Sequence, residues 1–242
     1  MKPAYPHRPI QQVFDDVFVV TGTTRTRFMD LDWQYSRNMT VVRSGSDLCL
    51  INTVRLDEPT LAALDELGTV RHVVRLGSFH GMDDEFYLDR YGAVRGASQL
   101  WAFASMVHEH AVPTHVELHN GSPGPFPESV GFEFQTSKHP EGALLFAEHG
   151  GILVTCDSLQ NWESADEFFD EESKSRMGAA GFFHSANVGP GFRAACSPEP
   201  ADFEALLRLP FRHLLSAHGT PLLENAKTQV RQRLVELAII SP

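Results

Sequence analysis

Apolar residues in the first fifty positions fall into short runs that predict strands. The run at 17–20, Val-Phe-Val-Val, is typical of a strand, which we expect to end at Gly22. Two further β-rich runs, 39–43 and 48–51, flank the turn-forming residues 44–47, and this pattern predicts a hairpin. Three strands should therefore precede the first helix.

A helix pattern follows these strands. Asp57 supplies an N-cap, Glu58 an acidic first turn and Pro59 a proline near the first helical position, and leucines at helical spacing continue to Gly68. A strand at 70–76 then runs into a polar loop. Carboxylates at the end of that loop open a second helix that we expect to continue through Tyr91, because acidic side chains stabilise a helix N-terminus.

Strands dominate the middle of the chain. Apolar runs at 100–103, 115–118 and 132–135 predict three of them. The segments 136–146 and 151–157 flank a Gly-Gly pair and predict a further hairpin. This hairpin should bring its two outer ends together, with His139 on one end and Asp157 on the other. An imidazole beside a carboxylate is a metal-binding combination.

The last third of the chain is less regular in pattern. Residues from about 158 to 200 are acidic at first and then rich in Gly, Ala, Pro and Phe, which predicts an irregular insert. A short helix at 201–209, a strand at 211–216 and an amphipathic helix from 223 to 237 complete the chain. The order of elements favours one domain, 1–242, of two packed sheets with helices outside.

Composition supports a single soluble domain. The chain has 242 residues, of which 42% are apolar, and this is enough for a sizeable core. The formal net charge of −11 argues against a nonspecific electrostatic grip on nucleic acid, so a small-molecule substrate is the better expectation. No apolar run approaches the roughly 18 residues that a membrane span requires. We expect no membrane association.

The three cysteines and the phenylalanines of the insert add two expectations. Cys49, Cys156 and Cys196 are scattered without a paired spacing, which predicts reduced, buried thiols and a cytoplasmic location. Five aromatic residues crowd the insert, where they should cover a substrate cleft or the surface of a homodimer. They are Phe168, Phe169, Phe182, Phe183 and Phe192.

Candidate site residues share a position at strand ends. His80, His139, Asp157 and His218 each lie at or just past the end of an apparent strand and close to Gly or Pro, as does Ser78. Rigid strands place such loop residues for binding, whereas other histidines serve ordinary surface or core roles. We assign nine to the ordinary class: His7, His72, His108, His110, His115, His119, His149, His184 and His213.

These motifs resemble those of the metallo-β-lactamase superfamily over residues from about 17 to 238. The matching segments are Ser-Phe-His-Gly-Met-Asp at 78–83, His-Pro-Glu-Gly at 139–142, Cys-Asp at 156–157 and Ser-Ala-His-Gly at 216–219. The resemblance implies the α/β fold class, as a four-layer αββα sandwich. It also implies one or two metal ions at the strand ends, usually zinc and in some members iron or manganese.

The chain departs from the family pattern in its upstream half. In the HxHxDH loop, the register that keeps the distance from the preceding strand places Ser78 and His80 at the two leading histidines. That register puts Met82 at the aspartate and Asp83 at the last histidine. A second register sets other residues on the four positions: His80, Met82, Asp84 and Glu85. Asn52 stands where the first family motif has an aspartate.

The downstream motifs are intact, and the resemblance implies a role for each. His80, His139 and Asp157 would hold one ion, and His218 would lie at the neighbouring position with Asp83, which would act as a ligand or general base. Three further residues form the edge of the implied site: Ser78, Met82 and Asn52. Whether the centre holds two ions, one or none stays open.

Two functions follow from this partial match. One is a metal-dependent hydrolase of a small ester, lactone, thioester or similar bond, favoured by the three downstream residues. The other is a degenerate member that acts as a binding or interaction protein, favoured by Met82, whose thioether cannot accept a proton as the family aspartate does.

Overall fold

The structure is a computed structural model that describes residues 3–28, 30–92, 98–104, 106 and 112–242. His108 and His110, to which the sequence assigns no special role, lie outside these residues. The described helices are all short, and none is long and apolar enough to cross a membrane. All three cysteines are buried and free, as their spacing predicts.

Seven strands form the larger sheet, in the order β1-β2-β3-β4-β5-β6-β7. The first four pair antiparallel and the last four parallel. Their bounds are β1 Gln11–Phe14, β2 Val17–Phe28, β3 Leu31–Ser44, β4 Asp47–Ile51, β5 Thr69–Arg75, β6 Gln99–Phe103 and β7 Val116–Leu118.

A four-stranded sheet has the order β13-β10-β9-β8. Strands β9 and β10 form the predicted hairpin, with Phe146 opposite Ile152, and β13 runs parallel to β10. A separate two-stranded sheet joins β11 to β12. The bounds are β8 Ser129–Glu133, β9 Gly142–Phe146, β10 Ile152–Thr155, β11 Leu159–Trp162, β12 His184–Val188 and β13 His213–Ser216.

Six α-helices lie in the described part of the chain. Helix α1 begins as predicted, because the Asp57 side chain accepts a hydrogen bond from the Thr60 amide at 3.0 Å. The bounds are α1 Glu58–Leu67, α2 Asp84–Gly92, α3 Glu171–Ala179, α4 Pro190–Cys196, α5 Pro200–Leu206 and α6 Ala226–Glu236. Residues 158–200, predicted as an irregular insert, therefore hold β11, β12, α3 and α4.

The buried side chains divide into three clusters that define the layers. One cluster lies between the sheets and includes Ile51 of β4 and Leu144 of β9. A second packs the other face of the large sheet against α1 and α2, and a third packs the small sheet against α4, α5 and α6. Alternation along β9 shows the principle, because Leu144 faces the large sheet and its neighbour Leu145 faces the helices. This layering is the predicted αββα sandwich.

Strand β2 is longer than predicted, since it continues through Gly22 to Phe28. The residues after Gly22 are polar and become exposed from Arg25 onward, so they carry no hydrophobic signal. Close packing explains the glycine at position 22, because a Cβ there would come within 2.7 Å of Val54. The glycine therefore marks a close approach of two segments rather than a strand end.

Truncation of Leu144 tests the central layer. Leu144 is fully buried between the sheets, so Leu144→Ala should lower the free energy of unfolding by about 2–5 kcal/mol through lost burial and a residual cavity. Leu223→Ala, at a side chain that is 43% exposed, should change it by less than about 0.5 kcal/mol. Chemical denaturation of both variants measures the difference; equal effects would contradict the layering.

His72 should make stability depend on pH. Burial lowers the pKa of its imidazole, and the nearby Asp47 carboxylate opposes this only in part. The unfolded chain, with a histidine pKa of about 6.5, therefore binds the proton more readily than the folded protein. Stability should fall as pH drops from about 7 to 5, by less in His72→Gln. An NMR titration that places the His72 midpoint above that of free histidine would contradict this.

Candidate metal centre

Three cross-sheet links fix the strand ends around one point. The backbone amide of Asn38, in β3, donates to the Ala217 carbonyl at 2.7 Å, and the Asn38 side chain donates to the Ser216 carbonyl at 2.9 Å. Asn52, past the end of β4, donates to the Thr155 carbonyl at 3.0 Å. Gly77 bridges to Glu141. The ends of β5, β10 and β13 are thereby held at one edge of the sandwich.

His80, Asp157 and His218 converge at this edge. The two Nε2 atoms of the histidines lie 3.1 Å apart. Asp157 Oδ1 lies 3.0 Å from His218 Nε2, and Asp157 Oδ2 lies 3.6 Å from His80 Nε2. Both histidines are buried, and the Asp157 side chain is 15% exposed. Three of the four predicted ligands thus surround a common volume.

The tautomer of His218 places a lone pair against a carboxylate, an arrangement that requires a cation between them. His218 Nδ1 lies 3.3 Å from the Ser36 carbonyl, which can only accept, so Nδ1 carries the hydrogen. In the neutral ring, Nε2 then presents a lone pair to the Asp157 carboxylate. Asp157 Oδ2 and His80 Nδ1 are also buried without a hydrogen-bond partner among the described residues. Either a proton or a metal ion must lie between these groups.

The donor set fits a zinc ion. Zinc–nitrogen and zinc–oxygen bonds of about 2.0–2.1 Å in a tetrahedron place ligand atoms about 3.3–3.4 Å apart. The separations between His80, Asp157 and His218 scatter around that value, from 3.0 to 3.6 Å. The Ser36 carbonyl gives His218 the outer partner that metal-bound histidines commonly have. The residues present therefore suit the ion that the fold implies.

Cys156 adds a fourth donor that sequence reasoning placed only in the core. Its sulfur lies within 4.8 Å of donor atoms of His80 and Asp157, and these three side chains form a second triad. Burial raises the pKa of the Cys156 thiol well above its usual value, and the charges of Glu141 and Asp157 add to that effect. Without a metal, the thiol therefore stays protonated.

Electrostatics in the cluster favour a charged Asp157. Burial alone would favour the neutral carboxyl, but the His80 and His218 imidazoles hold the pKa of Asp157 well below its usual range. Burial lowers the pKa of His80, and this is opposed by Asp157 and reinforced by the positive charge of Arg37. The cluster therefore favours the charged form of Asp157, which is the form that binds a metal ion.

Glu141 supports the turn that carries Asp157. Its carboxyl is fully buried, and Oε1 accepts the Ser158 amide at 2.7 Å. Burial, with the nearby Asp157 charge, raises the pKa of Glu141 well above its usual value. A Cβ on Gly77 would come within 2.3 Å of Glu141 Oε2 and 2.8 Å of Cys156 Sγ, so only glycine allows these strand ends to approach.

Other predicted residues serve neighbouring contacts. Asp83 Oδ2 accepts hydrogen bonds from the Arg37 guanidinium and the Arg55 amide. Met82 Sδ faces Arg37 at 2.7 Å. The Ser78 hydroxyl donates to the Pro140 carbonyl at 2.9 Å. These residues surround the triad without a described contact to it.

His139 lies apart from the triad. Its side chain is exposed, and its ring lies 5.3 Å from that of Phe79, centroid to centroid. Neither of the two triads found among the described residues, His80 with Asp157 and His218 or with Asp157 and Cys156, includes His139. The structure thus places this predicted ligand at the outer rim, next to the loop that carries His80.

An aromatic wall flanks the other side of His218. The Trp162 and Tyr35 ring centroids lie 4.7 and 6.0 Å from that of His218, and Phe169 packs on both aromatic rings at 5.5 and 6.4 Å. Phe183 extends the wall at 5.7 Å from Phe169. Phe192, which the sequence groups with these rings, instead lies in the core under the small sheet.

Sequence reasoning missed the supporting residues because their signals are weak. Arg37 and Asn38 sit in a continuous strand pattern, and only their polar character on a strand buried from Ser36 to Val42 could have marked them. Trp162, whose Nε1 donates to the Ser36 hydroxyl at 3.0 Å, lies in a segment predicted as acidic and irregular.

The fold and site together define an αββα sandwich with a histidine–carboxylate centre at its strand ends. No protein-family model matches the sequence, and no curated protein does. Solved structures do match over nearly the whole chain.

Three of these structures are metallo-β-lactamases. DIM-1 metallo-β-lactamase has a TM-score of 0.65 and 13% identity over 98% of this chain and 100% of its own. FIM-1 from Pseudomonas aeruginosa, in its mono-zinc form, has a TM-score of 0.58 and 14% identity over 98% of this chain and 99% of its own. The metallo-β-lactamase from Erythrobacter litoralis has a TM-score of 0.56 and 14% identity over 94% of this chain and 92% of its own. The chain therefore has the metallo-β-lactamase fold.

Glu141 provides a test of how the site is supported. Glu141→Leu leaves the buried Ser158 amide without an acceptor and should cost about 1–3 kcal/mol of unfolding free energy. Glu141→Gln keeps a carbonyl oxygen and should lose clearly less. Denaturant titrations of the two variants measure these losses. Equal losses would show that the 2.7 Å hydrogen bond from the Ser158 amide to Glu141 is not the source of the stabilisation.

Proposed function

We propose that this chain is a metal-dependent hydrolase with His80, Asp157 and His218 as the ligands of one divalent ion, most simply zinc. The observation that carries the proposal is the convergence of three donor side chains at 3.0–3.6 Å, with Asp157 Oδ2 buried and without a hydrogen-bond partner among the described residues. Three protein ligands leave a fourth position of a tetrahedral ion open, which is the arrangement of catalytic zinc sites.

The bound ion would act as a Lewis acid and activate water for attack on an acyl carbon. The protein's part is to hold the ligands. Ser36 fixes the ring of His218 through its carbonyl, and Glu141 fixes the turn before Ser158. FIM-1, which shares the fold, is described in a mono-zinc form, and this supports a centre with a single ion.

The surroundings of the centre support a small, partly apolar substrate. Phe79 and Met82, on either side of the His80 loop, are each 49% exposed although both are large and apolar. Tyr35 and Phe169 lie half-buried on the opposite side, beside His218. An ester, lactone or thioester with an apolar acyl group fits between such walls.

One observation favours the alternative, a binding protein that retains the fold. Asp83, the predicted general base, is paired with Arg37 and hydrogen-bonded by Arg55, so it is not free to take a proton from a water at the centre. Such a protein would bind the ion and the ligand but not turn the ligand over.

Zinc should stabilise the folded protein if the triad binds it. At a free zinc concentration about 100 times Kd, the gain should be about 2.7 kcal/mol, seen as a higher melting temperature. The gain should fade as pH falls toward 5, because imidazoles must lose their proton to bind metal. Differential scanning calorimetry of metal-free and zinc-loaded protein measures this shift.

Single-residue variants test which side chains bind the ion. Asp157→Ala and His218→Ala should abolish the zinc-induced shift, whereas His184→Ala, at an exposed histidine, serves as the matched control and should keep it. His139→Ala decides whether the exposed His139 takes part; in the three-ligand proposal it keeps the shift. An undiminished shift in Asp157→Ala would refute the assignment.

Turnover separates the enzyme from the binding protein. Zinc-loaded protein should hydrolyse chromogenic esters, thioesters or lactones, with a rate that Asp157→Ala removes. Zinc binding without hydrolysis of any of these, in a protein that still binds them by calorimetry, would establish the binding function instead.

A further inference from the structure

The Arg37 guanidinium lies in the interior, against the loop that carries His80. Its side chain is 5% exposed. Nη1 donates to the Thr53 carbonyl at 3.0 Å and to Met82 Sδ at 2.7 Å, and Nη2 donates to Asp83. Arg37 thus holds two side chains of the loop that carries His80.

Side chains near His80 that offer other donor atoms are already engaged. Met82 and Asp83 face Arg37, and Asp83 is also held by the Arg55 amide at 2.9 Å. The Ser78 hydroxyl donates to a backbone carbonyl. Among the residues that the structure describes, four donors then remain in contact with the central volume or close to it: His80, Cys156, Asp157 and His218. Three of them, His80, Asp157 and His218, suffice for one zinc ion with an open fourth position, and Cys156 alone is too little for a second ion.

Charge gives a second reason for a single ion. A second divalent ion next to His80 would lie close to the buried Arg37 cation, where like charges repel strongly because little water screens them. Asp157 would not offset this cost, because both candidate triads already share its carboxylate.

We propose that Arg37 limits this centre to one divalent ion, by holding Met82 and Asp83 and by placing a fixed positive charge where a second ion would need ligands. The inference rests on the proposed function, since it concerns the same centre. Its chemical consequence is a hydrolase in which a guanidinium, rather than a second metal, provides the additional positive charge.

Native mass spectrometry of protein titrated with Zn²⁺ tests the proposal by counting ions per folded chain. Wild type should bind one zinc. Met82→Asp should also bind one, because the new carboxylate would pair with the Arg37 guanidinium that now contacts the sulfur. The double variant Arg37→Gln/Met82→Asp removes the guanidinium that pairs with Asp83, adds a carboxylate and removes the buried charge, so it should bind a second zinc.

Arg55→Gln combined with Met82→Asp is the matched control. It removes the other arginine that contacts Asp83 but leaves Arg37, and it should stay at one zinc. Circular dichroism confirms that each variant is folded. Because Met82 is 49% exposed, the single variant should fold even where the Arg37 variant does not, and it keeps the proposal testable alone.

The outcomes are distinct. Two zinc ions in wild type or in Met82→Asp would overturn the role of Arg37 while leaving the metal centre intact. One zinc ion in a folded Arg37→Gln/Met82→Asp protein would also overturn it. No zinc in wild type would instead refute the proposed function, and this inference with it.

Discussion

The site depends on hydrogen bonds that join the two sheets at one edge. Asn38 holds the end of β13, Asn52 holds the end of β10, and Gly77 bridges to Glu141 at the start of β9. Each of the three loops that carry His80, Asp157 and His218 is therefore fixed to the opposite sheet. Sheets that pack only through apolar side chains can slide or rotate slightly, whereas directional hydrogen bonds define the distance between donor atoms.

Charge balance organises what lies inside that edge. The carboxylate of Asp157 is buried among two imidazoles, and that of Asp83 between Arg37 and Arg55. Burial of either anion is tolerable only with a cation nearby. One carboxylate has a permanent partner from the chain. The other has a geometry that a proton or an external ion completes, and this difference is the basis for assigning binding to Asp157.

Most of the fold could be predicted from sequence, because burial of one face of a helix or strand gives a periodic spacing of apolar residues. The leucines of α1 and the hairpin of β9 and β10 are examples. Among site residues, His80, Asp157 and His218 could be found because strand ends and neighbouring glycines mark them. Arg37 and Glu141 could not, since one lies inside a strand and the other was read only as part of a loop motif. Their roles come from contacts between segments far apart in sequence.

The orientation of His218 comes from a main-chain atom, the carbonyl of Ser36. Substitution at position 36 changes the side chain that meets Trp162 but cannot delete that carbonyl. The ring can therefore keep its direction while surrounding sequence drifts, provided that β3 keeps its path. A side chain oriented in this way is robust to divergence, so its direction can be kept in a chain only 13–14% identical to solved structures of the same fold.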